Sequence, residues 1–116
     1  MTSGEDSRRY PRVKHLYLAA YDIYGALGEV AESSIGRTLD ISMGGMRLET
    51  TKPLPLLSKV NITLAAGDEM VEVEGEVVHL NKKGTGRIET GVEFVNLSHQ
   101  AKEHIRIILA ANQHQG

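Results

Sequence analysis

Two short runs in the first half of the chain hold residues whose types and spacing suit the recognition of an anionic purine ligand. Arg8-Arg9-Tyr10-Pro11-Arg12 contains R-x-x-x-R, and Asp40-Ile41-Ser42-Met43-Gly44-Gly45 contains D-x-S-x-x-G. A guanidinium is a planar fork. It pairs bidentately with phosphate oxygens or with O6 and N7 of guanine, and its face stacks on a purine ring. A carboxylate accepts from two parallel N–H donors, which is what the opposite edge of guanine offers. A serine hydroxyl donates to phosphate, and paired glycines let backbone N–H groups approach a ligand without side chains in the way. Each run alone has a plainer explanation. R-x-x-x-R is usually a solvated basic patch, and D-x-S-x-x-G is usually a turn in which Asp or Ser caps local backbone. Their conjunction, in this order and ahead of a strand-rich body, describes a guanine-nucleotide site with several phosphate oxygens.

Arg8 and Arg12 lie four apart. On an extended segment they point the same way, about 13 Å apart by strand rise. The same spacing also aligns on a helix, but Pro11 pushes Tyr10 toward extended backbone and disfavours one. The reading is therefore an arm carrying Arg8, Arg9 and Arg12, facing a fixed patch. Asp40 and Ser42 alternate onto one face of that patch as a strand ends. Gly44 and Gly45 follow in a tight turn, where glycine tolerates positive φ.

The elements that must position these groups are mostly strands. Val13 to Ile23 reads as a first strand, Tyr24 to Gly36 as a loop or a break, and Gly36 to Ile41 as strand. Met46 to Glu49 is extended and ends at Pro53 and Pro55. Two segments alternate cleanly: Val60, Ile62 and Leu64, then Val71, Val73 and Val77. Period-2 patterning of this kind predicts half-buried antiparallel strands. Ala65-Ala66-Gly67-Asp68 reads as the turn between them, and Lys82-Lys83-Gly84-Thr85-Gly86 as a second turn. The second turn leads to a last strand with Ile88, Val92 and Phe94 on one face. Ser98 is a helix N-cap, and Ala101, Ile105, Ile108 and Leu109 form an apolar stripe. Such a helix must bury its stripe, and the open end of a small barrel is the natural place.

Composition narrows the function. A chain of 116 residues suits one domain. With four Tyr, one Phe and no Trp, the core must be built from aliphatic residues, and stacking platforms for single-stranded nucleic acid are scarce. A formal net charge of −2 argues against broad nucleic-acid binding, so any anion needs a local basic cluster. The absence of Cys excludes disulfides and thiolate metal sites. Five His without H-E-x-x-H give no metal motif; His99 and His104, five apart, do not share a helical face. Glu72, Glu74 and Glu76 alternate on one strand face and read as solvated or edge-protecting. Arg47 reads as an exposed strand residue with the chemistry for a further phosphate contact. No nucleophile, base and orienting group come together, so the expectation is no enzyme. The polar, acidic start holds no signal-peptide pattern, and no apolar run is long enough to span a membrane. The expectation is a cytoplasmic protein without membrane insertion.

On these motifs the chain resembles the PilZ domain family, bacterial receptors for cyclic di-GMP. Gly91-Val92-Glu93-Phe94-Val95-Asn96-Leu97-Ser98 also looks like the family's last strand entering its helix, so the likeness runs from Arg8 to about Ala111. The resemblance implies a mainly β fold: a six-stranded antiparallel barrel followed by a C-terminal helix. It implies a tail over residues 1–7, a domain over 8–112 and a second tail over 113–116. By similarity, Arg8 and Arg12 would contact guanine and phosphate, with Arg9 a partial substitute, and Asp40 and Ser42 would fix the guanine edge and a phosphate. Gly44 and Gly45 would keep the approach open. Ser7, just before the first motif arginine, leaves one or two ligand molecules per site as alternatives. The ligand would be cyclic di-GMP, with no metal or other cofactor, and a partner protein would read the arm's ordering. The isolated module would be a monomer or a weak homodimer. Two rivals stand beside this reading: a PilZ-fold adaptor that binds no nucleotide, and a small barrel for single-stranded nucleic acid.

Overall fold

The computed structural model of the chain describes residues 13–14, 18–66 and 69–113. Seven strands precede one helix: β1 (Val13–Lys14), β2 (Leu18–Tyr24), β3 (Val30–Ile41), β4 (Gly45–Thr50), β5 (Lys59–Ala66), β6 (Glu69–Lys82), β7 (Ile88–Phe94) and α1 (His99–Gln113). All pairings are antiparallel. The six long strands run in the order β3-β2-β5-β6-β7-β4, and β4 pairs back onto β3. The sheet thus closes into a six-stranded barrel, which removes the free edges that an open sheet would expose. The two-residue β1 lies along the far end of β3, with Val13 opposite Ile41 and Lys14 opposite Asp40.

Alternation explains the closure. Val60, Ile62 and Leu64 on β5, Val71 and Val73 on β6, and Ile88 and Val92 on β7 are all buried, and the residues between them face outward. Met46 and Leu48 on β4 and Ile41 on β3 complete the lining. α1 packs against β6, β5 and β1 and closes one end of the barrel with Ala101, Ile105 and Ile108. Ser98 caps it: its Oγ accepts from the Ala101 N–H at 3.0 Å, one of the donors the first helical turn leaves unmatched. α1 runs through Gln113, the first residue of the expected C-terminal tail.

Three local expectations are revised. The loop expected over 24–36 is confined to residues 25–29, and β3 begins at Val30. Residues 30–35 are all exposed, so this stretch of strand has no buried face to print an alternating pattern. It is held instead by its register with β2 and by Ser33 Oγ donating to Asp22 Oδ1 at 2.5 Å. Ala65 and Ala66 belong to β5 rather than to a turn, and Gly67 and Asp68 lie outside the described residues. In the expected first strand, residues 15–17 lie outside the described residues, with strand on either side.

Candidate functional site

The D-x-S-x-x-G run occupies the end of the hairpin formed by β3 and β4. β3 alternates with Gly36 and Thr38 buried, and a strict continuation would send Asp40 inward as well. The register shifts between Thr38 and Asp40: Thr38 faces Leu48, yet Asp40 faces Arg47. Leu39 is the extra residue of a β-bulge. A one-residue slip moves every following side chain to the other face of a strand. The bulge therefore turns Asp40 onto the outer wall beside Arg47 and sends Ile41 into the core opposite Met46.

Asp40 is nearly covered on that wall. Arg47 donates from Nε to Asp40 Oδ2 at 2.5 Å, and its Nη2 meets the same oxygen. Its Nη1 donates to Glu89 Oε1 at 3.0 Å, and Lys83 Nζ lies 3.6 Å from Glu89 Oε2. A chain of alternating charge thus crosses from β3 over β4 to β7 and the turn beyond β6. The Arg47 guanidinium is held above its usual range, first by its hydrogen bond to Asp40 and partly offset by its own burial. It stays charged at any working pH.

Ser42 is buried and serves its own turn. Its Oγ accepts from the N–H groups of Gly44 and Gly45, both at 3.2 Å, and its hydroxyl faces the Gly45 carbonyl at 3.3 Å. The Ser42 N–H donates to that carbonyl at 2.8 Å, and the Phe94 N–H ties Gly44 O to β7 at 2.9 Å. The glycines are not there for positive φ: among the described residues that conformation belongs to Gly28, Gly86, Leu57 and Asn96. Gly45 is required by a close approach, because a Cβ there would lie 2.2 Å from Val92 O.

Of the site residues expected from sequence, Asp40, Ser42, Gly44 and Gly45 come together on this hairpin end. Arg8, Arg9 and Arg12 lie outside the described residues. Arg12 is bonded to Val13, and Val13 pairs with Ile41, the residue between Asp40 and Ser42. Arg47 is more than the exposed strand residue expected, since it holds Asp40. Its signal was legible: positions 40 and 47 are symmetric about the turn, the placement of a cross-strand ion pair. Glu89 had no such signal, because it comes from a strand distant in sequence. Among the described residues, no three His, Asp or Glu gather as a metal site, and no helix is long and apolar enough to cross a membrane.

The family model that matches the chain is the PilZ domain, over residues 6–111. Among solved structures, the chain is similar to the PilZ domain with c-di-GMP of YcgR from Escherichia coli. The TM-score is 0.72 at 18% identity, covering 93% of this chain and 92% of that one. It is similar to the MrkH–c-di-GMP complex of K. pneumonia, with TM-score 0.73 and 17% identity, covering 93% of this chain and 53% of that one. It is also similar to the PilZ domain of CeSA from a cellulose-synthesizing bacterium, with TM-score 0.65 and 19% identity, covering 90% and 99% of the two chains. At these identities the likeness is one of fold. The comparison with curated protein sequences gives no match.

Proposed function

We propose that this chain, which belongs to the PilZ domain family, is a non-enzymatic receptor module for cyclic di-GMP. The observation that carries the reading is the pairing of Val13 with Ile41. It joins the segment after R-x-x-x-R to the strand end bearing D-x-S-x-x-G, so two motifs about thirty residues apart in sequence share one corner of the barrel. The structural relatives that hold c-di-GMP, YcgR and MrkH, support the same ligand class.

In this reading Asp40 accepts from the N1–H and N2–H₂ edge of a guanine. Ser42, Gly44 and Gly45 shape the turn against which a phosphate rests. Arg8 and Arg12, with Arg9 in support, bring positive charge to the phosphates and to the guanine O6/N7 edge. Binding orders the arm over the hairpin, and a partner protein reads the changed surface. Ordering opposes binding, so affinity leans heavily on the arginines.

The test is calorimetric titration of the purified protein with cyclic di-GMP, with GTP and cyclic di-AMP as controls. Saturable, guanine-selective binding supports the reading, and its stoichiometry separates one ligand molecule from two. The absence of heat and of any thermal shift overturns it. The adaptor reading then takes over; it draws support from Ser42, whose hydroxyl is engaged within its own turn.

A further inference from the structure

The bulge at Leu39 has a counterpart on the other side of the barrel. The β6–β7 register shifts between Val77, which faces Val92 in the core, and His79, which faces Gly91. Val78 is the extra residue, and the slip puts His79 on the outer wall. With Arg47 facing both Asp40 and Gly91, a row runs across four neighbouring strands: Asp40, Arg47, Gly91, His79. Two independent irregularities bring its two ends onto the same face.

The middle of the row is a gap with planar groups on both sides. Gly91 has no side chain, and a Cβ there would stand 3.1 Å from His79 Cβ, so both residues look outward together. Adjacent strands lie about 4.8 Å apart, which separates the Arg47 and His79 α-carbons by about 10 Å. His79 is exposed. Arg47 spends its edge donors on Asp40 and Glu89, whose side chains are 6% and 15% exposed, yet its own side chain is 44% exposed. What it presents to solvent is chiefly the face of its guanidinium, pinned in place by two carboxylates. A guanidinium face and an imidazole are both surfaces on which a nucleobase stacks.

We propose that Gly91 is the floor, and Arg47 and His79 the walls, of a subsite for a planar base adjoining the Asp40–Ser42 corner. The occupant is the second purine of the bound cyclic dinucleotide, so the proposal rests on the receptor reading above. Stacking tolerates any base, whereas a carboxylate reading the N–H edge discriminates guanine from adenine. The subsite therefore contributes affinity, and Asp40 contributes selectivity.

The experiment is calorimetric titration of the full chain and of His79→Ala, His79→Phe and His79→Leu with cyclic di-GMP and cyclic di-AMP. His79 is exposed and belongs to neither motif, and thermal unfolding of each variant shows that the fold is intact. His79→Ala is expected to weaken cyclic di-GMP binding about tenfold, as for loss of one stacked base. His79→Phe restores binding to within a few-fold, His79→Leu does not, and the preference for guanine over adenine is unchanged. Binding by His79→Ala equal to that of the unmodified chain overturns the subsite. So does rescue by Leu equal to that by Phe. Absence of binding by the unmodified chain overturns the receptor reading, and the subsite with it.

Discussion

Gly45 sits so close to β7 that a Cβ built on it would fall 2.2 Å from the Val92 carbonyl oxygen and 3.3 Å from the Glu93 Cα. Both are backbone atoms, so no side chain can swing away. Gly45→Ala must push β4 from β7 at the point where the barrel wall meets the Asp40–Ser42 hairpin. The expected loss of stability is about 1–3 kcal/mol, the usual range for forcing an extra carbon into packed structure. Urea unfolding measures it. An unchanged midpoint would mean that the strands separate freely there and that Gly45 has no structural role.

How much of this was legible in sequence depended on whether burial was one-sided. β5, the first half of β6 and α1 each have one apolar face, and their periods of 2 and 3.6 print directly onto residues such as Val60, Ile62 and Ile105. The first half of β3 is exposed on both faces, so Ser33 and Ser34 read as loop although they are strand. The glycine pair was recognised as a turn, but the reason is the contact with Val92, made by a strand over forty residues away. The bulges are the most consequential features missed. Leu39 shows only as a break in parity between buried Thr38 and buried Ile41, and it turns Asp40 from core to surface. For the R-x-x-x-R arginines, the described structure supplies only the covalent link from Arg12 to Val13.

The pair of Asp40 and Arg47 should be measurable by a double-mutant cycle. Exposed pairs contribute about 0.2–1 kcal/mol, while breaking a buried one costs about 3–5 kcal/mol. Here the carboxylate is covered and the guanidinium half-exposed. We expect a coupling of about 1–2 kcal/mol between Asp40→Asn and Arg47→Ala, scaled down from the buried case because solvent screens the arginine. Arg47→Ala alone should destabilise more than Glu89→Gln, because two of its donors meet Asp40 and one meets Glu89. Additive single variants would show that the pair contributes nothing beyond its separate parts.

Leu57 adopts φ 67 and is 68% exposed. A left-handed conformation costs a non-glycine residue about 1–2 kcal/mol. It persists because the Leu57 N–H donates to Val77 O at 2.7 Å and Ser58 O accepts from Val77 N at 3.0 Å, which docks the loop after β4 onto the bulged part of β6. Leu57→Gly keeps both hydrogen bonds, removes the Cβ strain and gives up little buried surface. The gain is reduced by the extra freedom of glycine in the unfolded chain, leaving an expected stabilisation of about 0.5–1 kcal/mol. A lowered melting temperature would show that the leucine side chain makes a contact worth more than its strain.

Arg12 gives the sharpest test of the ligand reading. It immediately precedes Val13, whose partner Ile41 separates Asp40 from Ser42. Consecutive α-carbons are 3.8 Å apart, so Arg12 is tied to this corner whatever path the preceding chain takes. Arg8 lies four residues further along, and Arg9 between them holds a supporting place in the reading. The order of sensitivity should follow. Arg12→Ala is expected to weaken cyclic di-GMP binding by about 2–5 kcal/mol, as when one member of a desolvated charged contact is truncated. Arg8→Ala should weaken it comparably, and Arg9→Ala least. Each removed phosphate contact should also flatten the dependence of affinity on salt, so titrations at two ionic strengths separate charge from stacking. Stability should barely move in any of the three if the arginines act on the ligand rather than on the barrel. A change below tenfold for Arg12→Ala, or an equal loss for Arg9→Ala, would remove the motif from the site even if the chain binds the dinucleotide.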